Sequence, residues 1–142
     1  MLASLPSRKF MQVCWVVPDI HAAIRTWADQ TGVGPFFYFD DVRYEDAIYR
    51  GQPWKAVEFH AAIAQAGDLQ IELVSQLEEG ASMFRDVVPA GQSGLHHMSI
   101  YTDDYDHDVA FYQKSGVEIA FSGRMMGARV CSSVLVTAID PT

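Results

Sequence analysis

The sequence predicts an α+β fold in which two βαβββ modules pair within one domain. The first observation behind this prediction is an internal repeat. A polar residue, a short apolar run and an aspartate occur from Gln12 to Asp19 and again from His97 to Asp104. The second observation is that helical periodicity follows the aspartate in both copies. The offset of 85 residues (97 − 12 = 85) is too long for a solenoid repeat and matches two supersecondary modules.

The length and composition indicate a single domain. The chain has 142 residues, of which 49% are apolar, and this is enough for one full hydrophobic core. We interpret residues 1–142 as one domain, with module one at about residues 10–75, a linker at residues 76–93 and module two at about residues 94–140.

Local signals predict one helix in each module. Asp19 and Asp104 follow the apolar runs, and aspartate is a typical N-cap residue. Apolar residues then recur behind the first aspartate at the spacing of one helix face, at Ile20, Ile24, Trp27 and Ala28. Gly32 and Gly116 end the two helical stretches, as glycine commonly does.

The remaining segments of module one are predicted to be strands and a loop. After the helix, β-prone or alternating residues occur at Phe36–Val42, Val57–Gln65 and Leu69–Ser75. The segment Arg43–Pro53 has no clear periodicity, so we predict a loop that folds over a cavity.

Module two is predicted to be shorter than module one. Its helix covers about Tyr105–Ser115, and the strands that follow are Val117–Ser122 and Arg129–Ile139. Only two strands fit where module one has three, so module two is predicted to lack its last strand. In the linker, Met83–Val88 is predicted to form a short helix.

The charge of the chain excludes several classes of partner. Ten basic and eighteen acidic residues give a formal net charge of −8, which repels nucleic acid phosphates and an anionic membrane surface. We therefore expect neither nucleic acid nor a membrane as a partner. Cys14 and Cys131 have no paired spacing, which favours buried thiols in a reducing, cytoplasmic compartment. The first ten residues form no apolar signal segment, and no run of about eighteen apolar residues occurs.

Three polar residues are candidate metal ligands. If the modules pair about a pseudo-twofold axis, Gln12 and His97 become equivalent and point into the same cavity. Glu72 lies on a strand whose apolar residues face the other way, so its carboxylate needs a partner. An imidazole, a carboxylate and an amide oxygen suit a divalent ion such as Zn, Ni, Co, Mn or Fe. Isolated polar residues on strands more often lie at the rim of a sheet than bind a metal. The prediction therefore rests more on the internal repeat than on the spacing of the three residues.

Other polar residues are weaker candidates. Glu58 and His60 share one face of a strand, and if that face lines the cavity they are the catalytic acid and base candidates; the alternative is a structural cross-strand pair. His96 precedes the ligand position and is expected to point to the opposite face in a structural role. No organic cofactor is indicated.

The segments Gln12–Asp19, Gly67–Val74 and Gly94–Met98, with Asp103 and Asp104, resemble the vicinal oxygen chelate superfamily. That superfamily contains glyoxalase I, methylmalonyl-CoA epimerase, extradiol dioxygenases and the bleomycin-resistance proteins. The resemblance covers about residues 10–130, and its motifs are specific to the superfamily but do not select a member. It implies that the paired modules curl into a cup-shaped mixed sheet. It also implies metal ligands on the first and last strand of each module, and by position the first three are Gln12, Glu72 and His97.

The sequence departs from the superfamily pattern in two places. The fourth ligand in these families is a glutamate on the final strand of module two, and after Glu118 the only acidic residue is Asp140. The metal site is therefore expected to be incomplete, or completed by water or by a second subunit. The second departure is the lack of a glutamate near Lys55, where methylmalonyl-CoA epimerases keep a catalytic base.

Three classes of function are compatible with these residues. The first is a metal-dependent lyase or isomerase of the glyoxalase or epimerase type that acts on a small carbonyl compound. The second is a metal-free small-molecule binding protein of the bleomycin-resistance type. The third, an extradiol dioxygenase, is disfavoured because Gln12 stands where that chemistry uses a histidine.

A homodimer is the expected assembly. Superfamily members are commonly dimers, and a missing last strand would leave the backbone of the strand Arg129–Ile139 unpaired at a sheet edge. We expect that strand to pair with a second subunit or to lie at the dimer seam, with Val130, Val134 and Val136 on its apolar face.

Overall fold

The computed structural model describes residues 8–55, 57–132 and 136–140. In these ranges ten strands form one mixed sheet, and two helices pack against it. The strands are β1 Phe10–Val16, β2 Phe37–Val42, β3 Glu45–Tyr49, β4 Gln52–Pro53, β5 Phe59–Ala66, β6 Leu69–Gln76, β7 Gly94–Tyr101, β8 Phe121–Met125, β9 Ala128–Ser132 and β10 Val136–Asp140. The helices are α1 Ile20–Thr31 and α2 Tyr105–Lys114.

The strand order repeats the same arrangement in two halves. The sheet runs β2-β5-β6-β1-β7-β10-β9-β8-β3-β4. In each half the first strand of the module is parallel to its last strand, β1 to β6 and β7 to β10. The two halves join where β1 pairs antiparallel with β7. This curled, mixed sheet with two helices confirms the predicted α+β fold of two paired modules.

The prediction that module two lacks its last strand is wrong. The segment predicted as one strand, Arg129–Ile139, contains two antiparallel strands, β9 and β10, and β10 also pairs with β7. The sequence conceals the hairpin because residues 128–139 contain no glycine, proline, asparagine or aspartate, which are the strongest turn signals. Module two is therefore complete in its strands.

This correction removes one of the two reasons given for a homodimer, the unpaired strand. Strand β10 is paired on both sides, by β7 and β9, so it is not a sheet edge that needs a second subunit. Val134, which the dimer prediction placed on the seam, lies outside the described residues. The sheet in the described ranges ends instead at β2 and β4, and the homodimer stays a prediction.

The predicted loop at Arg43–Pro53 is a hairpin that links the two modules. Strands β3 and β4 are joined at Arg50 and Gly51, which both have positive φ angles of 48° and 76°, as the tight primed turns of hairpins require. Strand β3 pairs with β8 of module two. This long-range pairing has no local signature in the sequence, and it closes the far end of the sheet.

The helices cover one face of the sheet and leave the other face as the inside of the cup. Asp19 caps α1 by accepting from the Ala22 N–H at 2.9 Å, and Gly32 ends it with φ of 71°. Helix α1 packs on an apolar cluster that includes Val13 and Leu73. Neither described helix is long and apolar enough to cross a membrane.

The concave face has its own apolar core. Three aromatic side chains at its centre, Phe59, Phe84 and Phe121, are each 1% exposed. Phe84 and Met83 belong to the linker, which contributes buried side chains to the cup. The linker reaches them through turns, so the short helix predicted at Met83–Val88 is not formed.

Candidate metal centre

The structure brings the three predicted ligands to one place on the concave face. Gln12 lies on β1, Glu72 on β6 and His97 on β7, and these three strands are neighbours at the centre of the sheet. Gln12 is 6% exposed and His97 8% exposed. All three side chains line one small cavity of about 30 Å³, which is room for one water molecule or one ion.

Glu72 and His97 form a buried acid–base pair. The Nε2 atom of His97 lies 3.7 Å from Oε2 of Glu72. Burial raises the pKa of Glu72 from 4.5 to about 7, and the hydrogen bond from the Cys14 thiol opposes this rise. Burial, and then the neighbouring His96, lower the pKa of His97 to about 3. At neutral pH the imidazole is therefore neutral, and the carboxyl group is close to half ionised.

The neighbouring histidine, His96, determines which nitrogen of His97 faces the cavity. The Nε2 atom of His96 lies 2.8 Å from the carbonyl oxygen of Met83, which can only accept, so this nitrogen carries the proton. The Nδ1 atom of neutral His96 is then an acceptor, and Nδ1–H of His97 donates to it at 2.7 Å. The Nε2 lone pair of His97 is left free and is directed towards Glu72. This is the arrangement of a metal-binding histidine whose other nitrogen is held by a neighbour.

A β-bulge explains why both histidines lie inside the cup. Across β1 and β7, Cys14 pairs with His97, whereas the next residue, Trp15, pairs with Leu95. His96 is the extra residue of this bulge, which interrupts the alternation of side chains. The expectation that His96 points to the opposite face is therefore wrong, and its ring instead contacts Phe84 and His97.

Gln12 is held in one orientation by its two neighbouring strands. Its Nε2 atom donates to Oε1 of Gln70 at 2.6 Å, and its Oε1 atom accepts from the Ser99 hydroxyl at 2.8 Å. A carbonyl oxygen has two lone pairs, so the oxygen of Gln12 keeps one for a further partner in the cavity.

Cys14 is a buried residue next to this site that the sequence analysis did not single out. It is fully buried, and its backbone pairs with Glu72 on one side and His97 on the other. Its sulfur and one ring nitrogen from each of His96 and His97 lie within 4.8 Å of one another. Burial, followed by the charge of Glu72, raises the pKa of the thiol well above its ordinary value. The signal was available in the sequence, because residues 12 and 14 of a strand share a face.

Glu58 and His60 lie away from the cup. The Nδ1 atom of His60 is 2.8 Å from the hydroxyl of Tyr38, whose ring packs on His21 of α1. Glu58 forms an ion pair with Arg43 at 3.5 Å. The opposite face of β5, with Phe59 and Ala61, lines the concave core. Neither residue lines the two concave cavities, so the condition for their catalytic role is not met. His60 forms a structural contact on the helix side of the sheet, and Glu58 forms its ion pair with Arg43.

A comparison with protein families identifies the fold family. The profile described as the Glyoxalase/Bleomycin resistance protein/Dioxygenase superfamily matches residues 11–132. The chain belongs to this superfamily. The match covers both modules and confirms the resemblance that the sequence motifs indicated. Among curated proteins, no sequence matches the chain significantly.

Solved structures of this superfamily have the same fold. Methylmalonyl-CoA epimerase from Mycobacterium tuberculosis is 19% identical, with a TM-score of 0.64 over 94% of this chain and 87% of that chain. A variant of Streptomyces coelicolor methylmalonyl-CoA epimerase in complex with 2-nitronate-propionyl-CoA is 17% identical, with a TM-score of 0.67 over 96% and 100%. A hypothetical protein from Bacillus halodurans C-125 is 18% identical, with a TM-score of 0.68 over 96% of both chains. At these identities the similarity shows the fold alone.

The superfamily symmetry places Thr137 where the fourth ligand is expected. In module one, Glu72 of β6 pairs with Cys14 of β1. In module two, Thr137 of β10 pairs with Ser99 of β7, and Ser99 is two residues beyond His97 as Cys14 is two residues beyond Gln12. Thr137 lines the same 30 Å³ cavity, and its hydroxyl lies 2.7 Å from the Ser132 hydroxyl. The fourth position thus carries a neutral hydroxyl instead of a carboxylate.

A second, apolar cavity adjoins the polar one. It has a volume of about 170 Å³ and shares Gln12 and Glu72 with the smaller cavity. Its other walls are mostly apolar side chains, among them Phe39, Val42, Ala61, Ile63 and Met125. A more open groove of about 340 Å³ lies on the helix side, between α1 and β1. Its one titratable lining residue is Asp19, which caps α1.

The residues of the cup fit a divalent metal ion, which members of this superfamily commonly bind. The donor set is one imidazole nitrogen with a free lone pair, one carboxylate and one amide oxygen, which suits a first-row divalent ion. The carboxylate of Glu72 is buried without a cationic side chain in the described lining of the cavity, and a bound cation would compensate its charge.

Proposed function

We propose that the protein is a metal-dependent isomerase or lyase that acts on a small carbonyl compound inside the cup. One observation carries this proposal. Glu72, which pairs with His97, lies at the boundary between a cavity the size of an ion and an apolar cavity of about 170 Å³. An apolar space with a few convergent polar groups is the usual architecture of a binding or active site. The structural similarity to epimerases supports the isomerase class at the level of fold.

Gln12, Glu72 and His97 are the residues that would hold the ion. Oε1 of Gln12 and Nε2 of His97 each present a lone pair to the small cavity, and Glu72 supplies the negative charge. A divalent ion held by these residues would polarise a carbonyl oxygen and stabilise the negative charge that develops on it. Gln70 and Ser99 keep the amide of Gln12 in the orientation that exposes its oxygen.

Glu72 is the group best suited to move a proton. Its pKa is about 7 in the protein without an ion, because burial raises it. A bound ion would lower this pKa, so Glu72 would accept the proton of the substrate when its carboxylate leaves the ion. Its position at the wall of the apolar cavity would allow it to reach a carbon atom next to the substrate carbonyl.

The size of the apolar cavity restricts the substrate. A volume of about 170 Å³ is below the roughly 300–1,000 Å³ of pockets that bind drug-sized ligands. The reacting part of the substrate must therefore be small, whereas a longer substrate would have to extend out of the cup.

Proton exchange in heavy water tests the reaction. Metal-loaded protein is incubated in D2O with a panel of small 2-oxo aldehyde adducts and acyl thioesters, and ¹H NMR follows the loss of the hydrogen next to the carbonyl group. We expect exchange for at least one compound class and its loss in Glu72→Gln. No exchange with any compound, or equal exchange in Glu72→Gln, would contradict the proposed role.

Metal retention tests the ligands separately. The metal content of purified protein after dialysis against each divalent ion is compared between wild type, His97→Ala and His107→Ala. We expect His97→Ala to lose the ion and His107→Ala, whose side chain is exposed on α2, to keep it. If both variants behave alike, the assignment of His97 is wrong.

A metal-free binding protein of the bleomycin-resistance type is the second candidate. The observation that favours it is Thr137, because a threonine replaces a charged donor at the fourth ligand position. In this case, chelator-treated protein would bind an apolar small molecule in the 170 Å³ cavity as tightly as untreated protein does. Isothermal titration of both preparations with the same compound distinguishes the two functions.

A further inference from the structure

We propose that the carbonyl compound carries one uncharged apolar ring, that this ring occupies the apolar cavity of the cup, and that Met126 helps to select it at the cavity mouth. This inference rests on the proposed function and names its substrate class. It implies that the carbonyl group is not attached to an anionic nucleotide carrier, such as the coenzyme A of an acyl thioester.

The volume of the apolar cavity fits a single six-membered ring. An apolar cavity of about 150 Å³ is known to bind benzene, and the cavity in the cup has about 170 Å³. The small side chain of Ala61 on β5 lines this cavity and is only 6% exposed. A larger side chain at position 61 would therefore take up the space that the ring needs.

The charges around the cavity oppose an anionic carrier. All ten lysine and arginine residues of the chain lie in the described ranges, and none of them lines either concave cavity. The two that adjoin lining residues in sequence, Arg43 and Arg124, each pair with an aspartate. The phosphates of a nucleotide are usually bound by arginine or lysine, whereas the charged lining residue here is the acidic Glu72.

Met126 lies at the cavity mouth in a turn that does not favour methionine. It lines the cavity although it is 87% exposed. With Gly127 it joins β8 to β9, and their φ angles of 51° and 86° are those of a tight primed turn, whose first central position favours asparagine or aspartate. Neither the turn nor the core explains this methionine. A binding surface does, because a flexible thioether side chain adapts to the face or edge of a ring.

Two aromatic side chains are exposed at the same cavity. Phe39 of β2 is 36% exposed and Tyr101 of β7 is 53% exposed, and both line the cavity. Together with Met126 they bring three large apolar side chains from separate parts of the chain to one opening. Exposed apolar side chains that cluster in this way are typical of a binding surface. They would cover a ring that has entered the cavity.

Binding of three probe compounds to the full chain tests the inference. Acetophenone has a carbonyl group and one phenyl ring, acetone lacks the ring, and acetyl-CoA has the carbonyl group on an anionic nucleotide. Ligand-observed ¹H NMR measures the three dissociation constants in zinc-loaded and in chelator-treated protein. We expect acetophenone to bind at least about tenfold more tightly than the other two, because its ring buries apolar surface in the cavity. If acetophenone binds no more tightly than acetone or acetyl-CoA, the inference is overturned.

Two variants test where the ring binds. Ala61→Leu fills the cavity and should remove the preference for acetophenone. Met126→Asn suits the turn, so it should raise stability in urea unfolding and at the same time weaken acetophenone binding by about threefold or more. Leu77→Asn is the matched control, because Leu77 is 48% exposed and lines neither concave cavity. It should leave binding unchanged.

A purely structural Met126 would behave differently in this test. Acetophenone binding would then be the same in Met126→Asn as in Leu77→Asn, and this result would overturn the selecting role of Met126. If Ala61→Leu does not fold, Met126→Asn decides whether the ring binds at this cavity.

The outcomes separate this inference from the proposed function. Proton exchange confined to carbonyl compounds without a ring, or to acetyl-CoA, would overturn the inference and leave the metal-dependent function standing. Selective binding of acetophenone without proton exchange in any compound would support the ring site and overturn the proposed function.

Discussion

Glu72 and Thr137 occupy equivalent positions in the two modules of this protein. Glu72 pairs with Cys14 on the first strand of module one, and Thr137 pairs with Ser99 on the first strand of module two. Both side chains line the same small cavity. The pseudo-twofold site therefore has a carboxylate on one side and a hydroxyl on the other, and this asymmetry sets the charge that the site presents to an ion.

Restoring a carboxylate at position 137 should strengthen metal binding. We expect Thr137→Glu to bind cobalt(II) at least about tenfold more tightly than Thr137→Gln, because the two side chains have the same size and differ in charge. The measurement is cobalt titration of both variants at the same pH and ionic strength. Equal affinity in the two variants would show that Thr137 does not face the ion.

The pH dependence of stability should report the ionisation of Glu72 in metal-free protein. Its folded pKa of about 7 exceeds the ordinary value of 4.5, so its contribution is fully present below pH 4.5 and is lost as the pH rises to 7. A shift of this size corresponds to roughly 3 kcal/mol. We expect the stability of Glu72→Gln relative to wild type to rise by about that amount over this range, as measured by urea unfolding.

Wild-type protein, measured at the same pH values, is the reference for this difference. If the stability of Glu72→Gln runs parallel to that of wild type between pH 4.5 and 7, the carboxyl group of Glu72 is not desolvated in the cup as described.

His97 should make the stability of the metal-free protein rise with pH, which is the opposite of the effect of Glu72, and it should do so at lower pH. Its folded pKa of about 3 lies below the ordinary value of 6.5, so its contribution to stability is present above pH 6.5 and is lost as the pH falls towards 3. In Glu72→Gln, where the opposing slope is removed, stability should therefore rise steadily from pH 3 to 6.5. Urea unfolding at half-unit intervals measures this rise, and a flat profile would contradict the burial of a neutral His97.

His96 should control the tautomer of His97. Replacing it by phenylalanine keeps a ring beside Phe84 but removes the acceptor for Nδ1–H of His97, which leaves that donor unsatisfied or moves the proton to Nε2. We expect ¹⁵N imidazole spectra of the metal-free His96→Phe variant to show a larger population with the proton on Nε2. Wild-type protein should show the proton on Nδ1, and His107→Phe should match wild type. If the spectrum of His97 is unchanged in His96→Phe, His96 does not determine the tautomer of His97.

A buried ion pair at the start of α2 should contribute strongly to stability. Asp108 is fully buried, and its carboxylate accepts from Arg8 at 2.9 and 3.0 Å and from the Thr102 hydroxyl at 2.7 Å. Its removal leaves these donors without their partner, which typically costs about 3–5 kcal/mol. We expect Asp108→Ala to lose this amount in denaturant unfolding.

Asp103 supplies the matched comparison for that measurement. It also pairs with Arg8, at 3.5 Å, but its side chain is 95% exposed. Exposed ion pairs contribute about 0–1 kcal/mol, so Asp103→Ala should change stability little. Similar losses in the two variants would show that burial is not what makes the contact of Asp108 strong.

The repeat predicted much of the fold because its signals are local. The aspartate caps, the helical spacing behind Asp19 and the stop at Gly32 are properties of short segments, and the structure forms α1 accordingly. The alternation of Leu69–Ser75 likewise separated Glu72 from the apolar side of its strand. The hairpin of β9 and β10 could not be predicted in this way, because no turn residue marks it and long-range pairing with β7 holds β10 in place.

The sequence by itself determined that two βαβββ modules pair and that Gln12, Glu72 and His97 are the polar residues on their inner strands, since these features depend on repeat and period. Only the tertiary structure decided that Cys14 lies between Glu72 and His97, that a bulge turns His96 inwards and that His60 faces the helix side. The physical reason is register. Packing of the whole sheet sets how strands from distant segments align and to which face of the sheet their side chains point. Neither property has a signature within one segment.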